Sequence, residues 1–328
     1  MTIAADERKG EGVKRIGYLV GSDVHARIAR EGADIDTKGN TDLFLLRTRD
    51  PAGYGRIQIT PGYFRQHFRY DLERFDVLLN LVTDADQNPK VLANLVKLLR
   101  PWRGRLINRP EAVLRSTREQ VASACAGPPH VVAPRAVRIG PGGRAPADFP
   151  FPAILRLAGT HTGRVIGVVG GADEVAARLV KGQQHFLTEF RDFRGADGLY
   201  RKYRFFFIGG EIVLRHLLVS DGWNVHAADR ARFMRPRPGL IAEERDAIGY
   251  GMQAFPHSVR AGLAAIRAAV GLDLFGVDCA LSAAGEVLLF EANATMNFFP
   301  LATDPVFAYL GTALARAQAA FDALLFEG

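Results

Sequence analysis

Asp278, Glu291 and Asn293 are the residues of this 328-residue chain whose types and spacing best suit chemistry. They lie in Phe275-Gly-Val-Asp-Cys-Ala-Leu-Ser-Ala-Ala-Gly-Glu-Val-Leu-Leu-Phe-Glu-Ala-Asn-Ala294, which reads as two strands around a turn at Ala284-Gly285. A two-residue loop there pairs Ala283 with Glu286 and Ser282 with Val287, and counting outward sets Asp278 opposite Glu291. Asn293 shares their face because strand side chains alternate, while Val277, Cys279, Leu281, Leu288 and Phe290 turn to a core. Two carboxylates and an amide oxygen converge, with no basic residue inside the segment to neutralise them. Such oxygen donors suit Mg²⁺, which takes one or two protein carboxylates together with nucleotide phosphate oxygens. A solvated acidic face on a surface hairpin is the alternative reading of the same pattern.

Three further stretches carry chemistry. Arg156 ends an apolar strand and is followed by Gly159-Thr160-His161-Thr162-Gly163-Arg164, a loop able to turn backbone N–H groups toward phosphates. An ordinary surface hairpin has the same pattern. Phe186-Leu-Thr-Glu189-Phe190-Arg191 is an apolar strand that turns polar, and its end offers backbone groups to a base and a carboxylate to a ribose. Tyr200 to His216 is a hairpin turning at Gly209-Gly210, in which Phe207 faces Ile212 and Arg204 faces Arg215. Two opposed guanidiniums repel unless an anion lies between them, although both can also splay into water. His216 and His226 are candidate proton shuttles, but lone histidines are more often ordinary hydrogen-bonded residues. The chain contains no Ser-His-Asp order, CxxC spacing, GxGxxG or Walker A run.

The elements that must position these residues alternate along the first hundred positions. Strands are predicted at Arg15–Val20, Phe75–Val82 and Arg105–Asn108, with a helix over Lys90–Leu99, which argues for a small parallel sheet. The pattern over Glu31–Arg69 assigns no element. A helix starting at Pro110 should run to Gly127, followed by one strand over Val131–Ile139 and a breaker-rich loop. Beyond it come strands at 152–157, 165–169, 185–191, 200–208 and 211–219, and helices at 173–181, 253–270 and 305–326.

Composition bounds the class. Hydrophobic content of 48% and charged content of 23% describe a soluble globular enzyme. No signal peptide or membrane-spanning run is legible, and only Cys125 and Cys279 are present, so a reducing cytoplasm is expected. The net charge of +7 raises nucleic acid as a partner, but of 42 basic residues only 7 are Lys, and the arginines are dispersed without a basic block. That distribution fits a GC-rich coding sequence and argues against nucleic acid.

Taken in order, the pieces resemble the ATP-grasp superfamily, on its glutathione-synthetase-like and ribosomal-protein-glutamate-ligase-like branch. The resemblance rests on Arg156 with Gly159–Arg164, the strand end at Thr188–Arg191, Arg204-Phe-Phe-Phe-Ile-Gly-Gly210, and Asp278 followed by Glu291-Ala-Asn293. It implies an α/β (α+β) ATP-grasp fold, with a Rossmann-like N-terminal domain over 1–108. Two α+β subdomains, 109–187 and 188–328, clasp ATP. It also implies a carboxylate–amine ligase that works through an acyl phosphate and releases ADP and phosphate. Mg²⁺, or Mn²⁺ in its place, would be held by Asp278, Glu291 and Asn293. ATP would be held by Arg156, Gly159, Thr160, His161, Thr162, Gly163, Glu189, Phe190 and Arg191, with Arg135 or Arg138 as a second basic contact. Arg204 and Arg215 are the implied catalytic residues, Arg215 for the oxyanion of the tetrahedral intermediate. The substrates would be small-molecule or peptide carboxylates and amines, without membrane involvement and with a homodimer as a family expectation. The family usually has Lys where Arg156 stands, which replaces a compact ammonium with a planar fork. A regulator that binds Mg-ATP without turnover is the alternative.

Overall fold

The computed structural model describes residues 14–24, 39–48, 53–158, 165–295 and 303–327. The first of three sheets contains β1 (Ile16–Gly21), β2 (Tyr54–Ile59), β3 (Val77–Asn80) and β4 (Arg105–Ile107). All are parallel, in the order β2-β1-β3-β4. Helix α1 (Pro89–Leu99) buries Val91, Leu92, Leu95 and Leu99. This is the expected parallel sheet. β2 is an addition within the stretch that sequence pattern did not assign, where only Ile57 and Ile59 of YGRIQI are apolar and alternate.

Two predicted elements are broken. The helix from Pro110 divides into α2 (Pro110–Leu114) and α3 (Arg118–Ala124). Ser116 and Thr117 form the break: Ser116 Oγ donates to the Val113 carbonyl at 2.8 Å, and extended Thr117 restarts the helix. The strand over Val131–Ile139 divides at Pro134 into β5 (Val131–Val132) and β6 (Ala136–Ile139). These halves enter different sheets, β5 parallel to a late strand and β6 antiparallel to another.

The second sheet joins β6 to β7 (Ala153–Leu157), β8 (Val165–Val169) and β9 (His185–Glu189), in the antiparallel order β6-β9-β7-β8. Helix α4 (Ala172–Arg178) buries Val175 in a small core with Ile139, Leu155, Val169 and Leu187. The third sheet is β11-β10-β12-β13-β5, built from β10 (Tyr200–Ile208), β11 (Glu211–Ser220), β12 (Leu274–Leu281) and β13 (Val287–Asn293).

On one face of the third sheet Phe205, Phe207, Phe275, Val277 and Cys279 join the main core, with Ile241 and Ile248 of α5 (Pro238–Tyr250) and Leu263 and Ile266 of α6 (His257–Val270). On the other face Phe206, Ile208, Val213 and Leu274 meet Phe321, Leu324 and Leu325 of α7 (Leu310–Phe326). The same cluster holds Ile16, Val77 and Leu79, so α7 wedges the third sheet against the first. Beyond that wedge a cavity opens on the same face, lined by Lys202, Arg204, Asp278 and Glu291. No helix among the described residues is long and apolar enough to cross a membrane.

Candidate active site

Four polar side chains form one row across the third sheet. Arg204 pairs with His216 on one side and with Asp278 on the other, and Asp278 pairs with Glu291. The Asp278–Glu291 pairing is the one the sequence count predicts, reached through two compensating departures. The turn spans Ala283–Gly285, because Gly285 sits at φ +78° and Ser282 N–H donates to the Glu286 carbonyl at 2.9 Å. The extra loop residue shifts the tip register to Leu281–Val287 and Cys279–Leu289. A bulge between Asp278 and Cys279 then restores it, with Phe290 as the inserted residue. The bulge corrects the expected core face: Leu289, not Leu288 or Phe290, joins the main core, and all three border the cavity.

A second bulge, between Arg204 and Phe205, corrects the other hairpin. Phe207 faces Ile212 as expected, but Arg204 faces His216, and Arg215 is the inserted residue. Arg215 is buried and does not line the cavity, where β11 contributes His216 and Leu218. Burial and the nearby Arg230 charge pull its pKa down to about 10.

The acidic pair is neutralised from elsewhere in the chain. Arg204 donates from Nε to Asp278 Oδ1 at 2.5 Å and from Nη2 to Oδ2 at 2.8 Å, and Lys202 Nζ lies 3.4 Å from Oδ2. Glu291 pairs with Arg118, which also donates to the Phe290 carbonyl at 3.0 Å. Burial pushes both carboxyls up. Arg204 and Lys202 around Asp278, and Arg118 beside Glu291, outweigh it and hold both below their usual range, hence ionised. Asn293 stands one row on, opposite Gly276, and its Oδ1 accepts from Thr295 N–H at 2.9 Å.

No three His, Cys, Asp or Glu side chains among the described residues gather to hold a metal. The donors are all oxygens, and an ionised carboxylate keeps lone pairs beyond one guanidinium contact. Asp278 and Glu291 therefore fit a hard divalent cation that draws its remaining ligands from a bound anion.

The cavity beside this row is about 530 Å³. Arg156 of β7 reaches into it with Nε buried and without a hydrogen-bond partner. Burial, and then the Arg118 charge, pull the Arg156 pKa down to about 10. Thr188 Oγ1 and His216 Nε2 are also buried without partners, so three of the eight such atoms among the described residues belong to residues lining one cavity. Unpartnered buried polar atoms are costly and rare, and three around one space mark a place for a polar ligand. Burial and the Arg204 charge hold the His216 imidazole well below its usual pKa, and thus neutral.

Glu189, Phe190 and Arg191 line the cavity. Phe190 meets Trp223 edge to face at 5.6 Å, and Arg191 pairs with Glu189 at 2.5 Å. Thr83, Asp84 and Asp86, after β3, form the wall contributed by the first sheet, and His226 lines the opposite loop. Arg138 does not line it. Its fork is engaged by Glu119 at 2.9 Å, Asp86 at 2.7 Å and Gln184 at 3.0 Å, and its plane covers Phe186. Arg135 instead pairs with exposed Asp148. The expected loop Gly159, Thr160, His161, Thr162 and Gly163 lies outside the described residues. Arg118 and Lys202 were missed by the sequence reading. Arg118 had a signal, because Thr117-Arg-Glu-Gln120 has the spacing of a capping box and so predicts a helix restarting at Arg118.

No protein-family model matches the chain, and no curated protein matches it significantly. Among solved structures it is similar to D-alanine–D-alanine ligase from Bacillus anthracis complexed with ATP, at 13% identity and a TM-score of 0.49 over 96% of this chain and 100% of that one. It is similar to a RimK-domain ATP-grasp protein from Sphaerobacter thermophilus, at 16% and 0.47 over 95% and 100%. A third is the RiPP-associated ATP-grasp ligase from Chryseobacterium gregarium, in complex with ADP and a leader and core peptide, at 12% and 0.49 over 96% and 97%. Likeness this distant leaves the reading of the site to its own geometry.

Proposed function

We propose that the chain is an ATP-grasp carboxylate–amine ligase that joins its substrates through an acyl phosphate and releases ADP and phosphate. The observation that carries this reading is the juxtaposition, in one cavity, of ionised Asp278 and Glu291 with Arg156, whose buried Nε has no partner. A buried guanidinium with an unmet N–H calls for an anion. A carboxylate pair beside it calls for that anion to arrive with a divalent metal.

The apolar end of the cavity, with Ile154, Val165, Phe190 and Trp223, suits a flat base. Lys202 and Arg156 meet the phosphates, and Arg118 and Arg204 approach them from their carboxylate partners. Asp278 and Glu291, with Asn293 beside them, would hold Mg²⁺, which would supply positive charge against the phosphates. The row fixes the transferring phosphoryl group against an incoming carboxylate, and Arg204 faces the charge that develops there. Arg215 stays outside the cavity lining, so Arg204 is the guanidinium placed for that charge. The Thr83–Asp86 wall faces the carboxylate and amine.

The domain division at 108 and 187 belongs to the same proposal. The three sheets support it, except that β5 joins the third sheet from within the second segment and the division at 187 falls inside β9 of the second sheet.

The test incubates the protein with Mg-ATP and mixtures of amino acids and small peptides. ADP and phosphate release that needs both an acid and an amine, with a new amide detected by mass spectrometry, is expected. Tight Mg-ATP binding without phosphate release for any pair would sink the ligase reading.

A further inference from the structure

We infer that His216 is a direct contact for the terminal phosphate of the bound nucleotide, a role that rests on the nucleotide reading above. The bulge after Arg204 turns Arg215 away and brings His216 into the row Arg204–Asp278–Glu291 at the edge strand β11. Neighbouring strands lie about 4.8 Å apart, so the imidazole stands one strand spacing from the Arg204 backbone, on the side away from the carboxylates. His216 lines the cavity, and its Nε2 is buried without a partner. Arg204 commits its Nε–H and one Nη2 N–H to Asp278, which leaves its remaining N–H groups for an anion. This end of the row therefore offers a buried, unpartnered imidazole nitrogen beside a partly engaged guanidinium.

The depth of the cavity selects the part of the ligand that arrives there. Phe190 and Trp223 form the aromatic end. The pair Lys202–Leu218 comes next along the sheet, and the row follows. Past the row, Phe206 and Leu274 belong to the core sealed by α7, so the cavity ends at the row on the β10 side, while Asn293 carries it one row further on β13. A nucleotide with its base at the aromatic end brings its last phosphate to the row. A ring N–H that meets a phosphate oxygen makes a charge-assisted hydrogen bond, which a shorter nucleotide cannot use.

Trp102 and Trp223 are the two tryptophans of the chain, and Trp223 lines the cavity. In a Trp102→Phe background, Trp223 fluorescence therefore follows binding of ADP and of a non-hydrolysable ATP analogue, each with Mg²⁺. His216→Leu is expected to weaken the triphosphate about tenfold and to leave ADP within about twofold. His216→Asn, which keeps a short N–H donor, should recover part of the loss. Equal weakening of both ligands, or no change in either, overturns the assignment of His216 while leaving the nucleotide site intact. No binding of either ligand to the protein with His216 in place overturns both. Thermal unfolding of each variant identifies a fold defect, and His216→Asn supplies the comparison if His216→Leu does not fold.

Discussion

Arg204 and Asp278 face each other across β10 and β12, and one guanidinium reaches both carboxylate oxygens, at 2.5 and 2.8 Å. The carboxylate proposed to hold a metal is thus already the partner of a cation proposed to hold phosphate. A charge pair this buried is costly to break from one side, because the remaining charge stays in a poor solvent. A bound Mg-nucleotide answers both needs at once, its metal meeting Asp278 and its phosphates meeting Arg204.

Asp278→Asn should therefore lose Mg²⁺-dependent nucleotide binding and cost about 2–3 kcal/mol of stability at pH 7. The pH dependence has a definite sign. Arg204 and Lys202, against burial, hold the folded carboxyl below its usual value of 3.8. The stabilisation is consequently present above about pH 4 and is lost as pH falls toward the folded value. Urea unfolding of the wild type and of D278N should give a stability gap that is flat from about pH 6 to 8 and narrows below about pH 4. A gap that widens in acid would contradict the ion pair.

Glu291→Gln keeps size and removes one anionic ligand. Gln still accepts a hydrogen bond from Arg118, so the fold should survive with a loss of about 1 kcal/mol. Phosphate release should fall by at least about a hundredfold, with the residual activity rising at higher Mg²⁺. Full turnover at ordinary Mg²⁺ would remove Glu291 from the site.

Arg156 offers a test in which stability and function move in opposite directions. Its buried Nε lacks a partner, and burial depresses its pKa to about 10, so the cation destabilises the empty fold at neutral pH. Arg156→Met should therefore leave the melting temperature unchanged or raised, and weaken Mg-ATP by about two orders of magnitude. Arg156→Lys should keep most of the activity, since a compact ammonium still meets phosphate. If Arg156→Met instead destabilises the protein and spares nucleotide binding, the residue is structural.

The acidic half of the site was legible because Gly285 announces a turn and alternation then sets Asp278, Glu291 and Asn293 on one face. The basic half was only partly so. Arg215 and His216 are both polar neighbours, and the bulge that chooses between them has no mark in the local pattern. Arg138 looked as suitable as any cation until tertiary structure gave its fork to Glu119 and Asp86. Helix α5 has no clear sequence signal because the stripe Ile241, Glu244, Ile248 has a carboxylate where an apolar residue would complete it.

That carboxylate has its own consequence. Glu244 is fully buried, and its Oε1 accepts from Leu217 N–H at 3.0 Å and from Arg230 Nη2 at 2.8 Å, while Oε2 accepts from Tyr309 at 2.6 Å. Leu217 directly follows Arg215-His216, where the bulge has interrupted the ladder with β10, so Glu244 holds the strand in its bulged course. Glu244→Leu strands Arg230 and the Leu217 N–H together and should cost about 3–5 kcal/mol in urea unfolding. Glu244→Gln retains an acceptor for Leu217 and should cost about 1–2 kcal/mol. Because the latch sets where His216 stands, Glu244→Gln should also weaken Mg-ATP several-fold, although Glu244 does not line the cavity. Tyr309→Phe, which touches only the far oxygen, should cost about 1 kcal/mol and leave nucleotide affinity unchanged. If both variants lower affinity equally, the coupling runs through general loosening of the fold, and the latch has no special hold on the row.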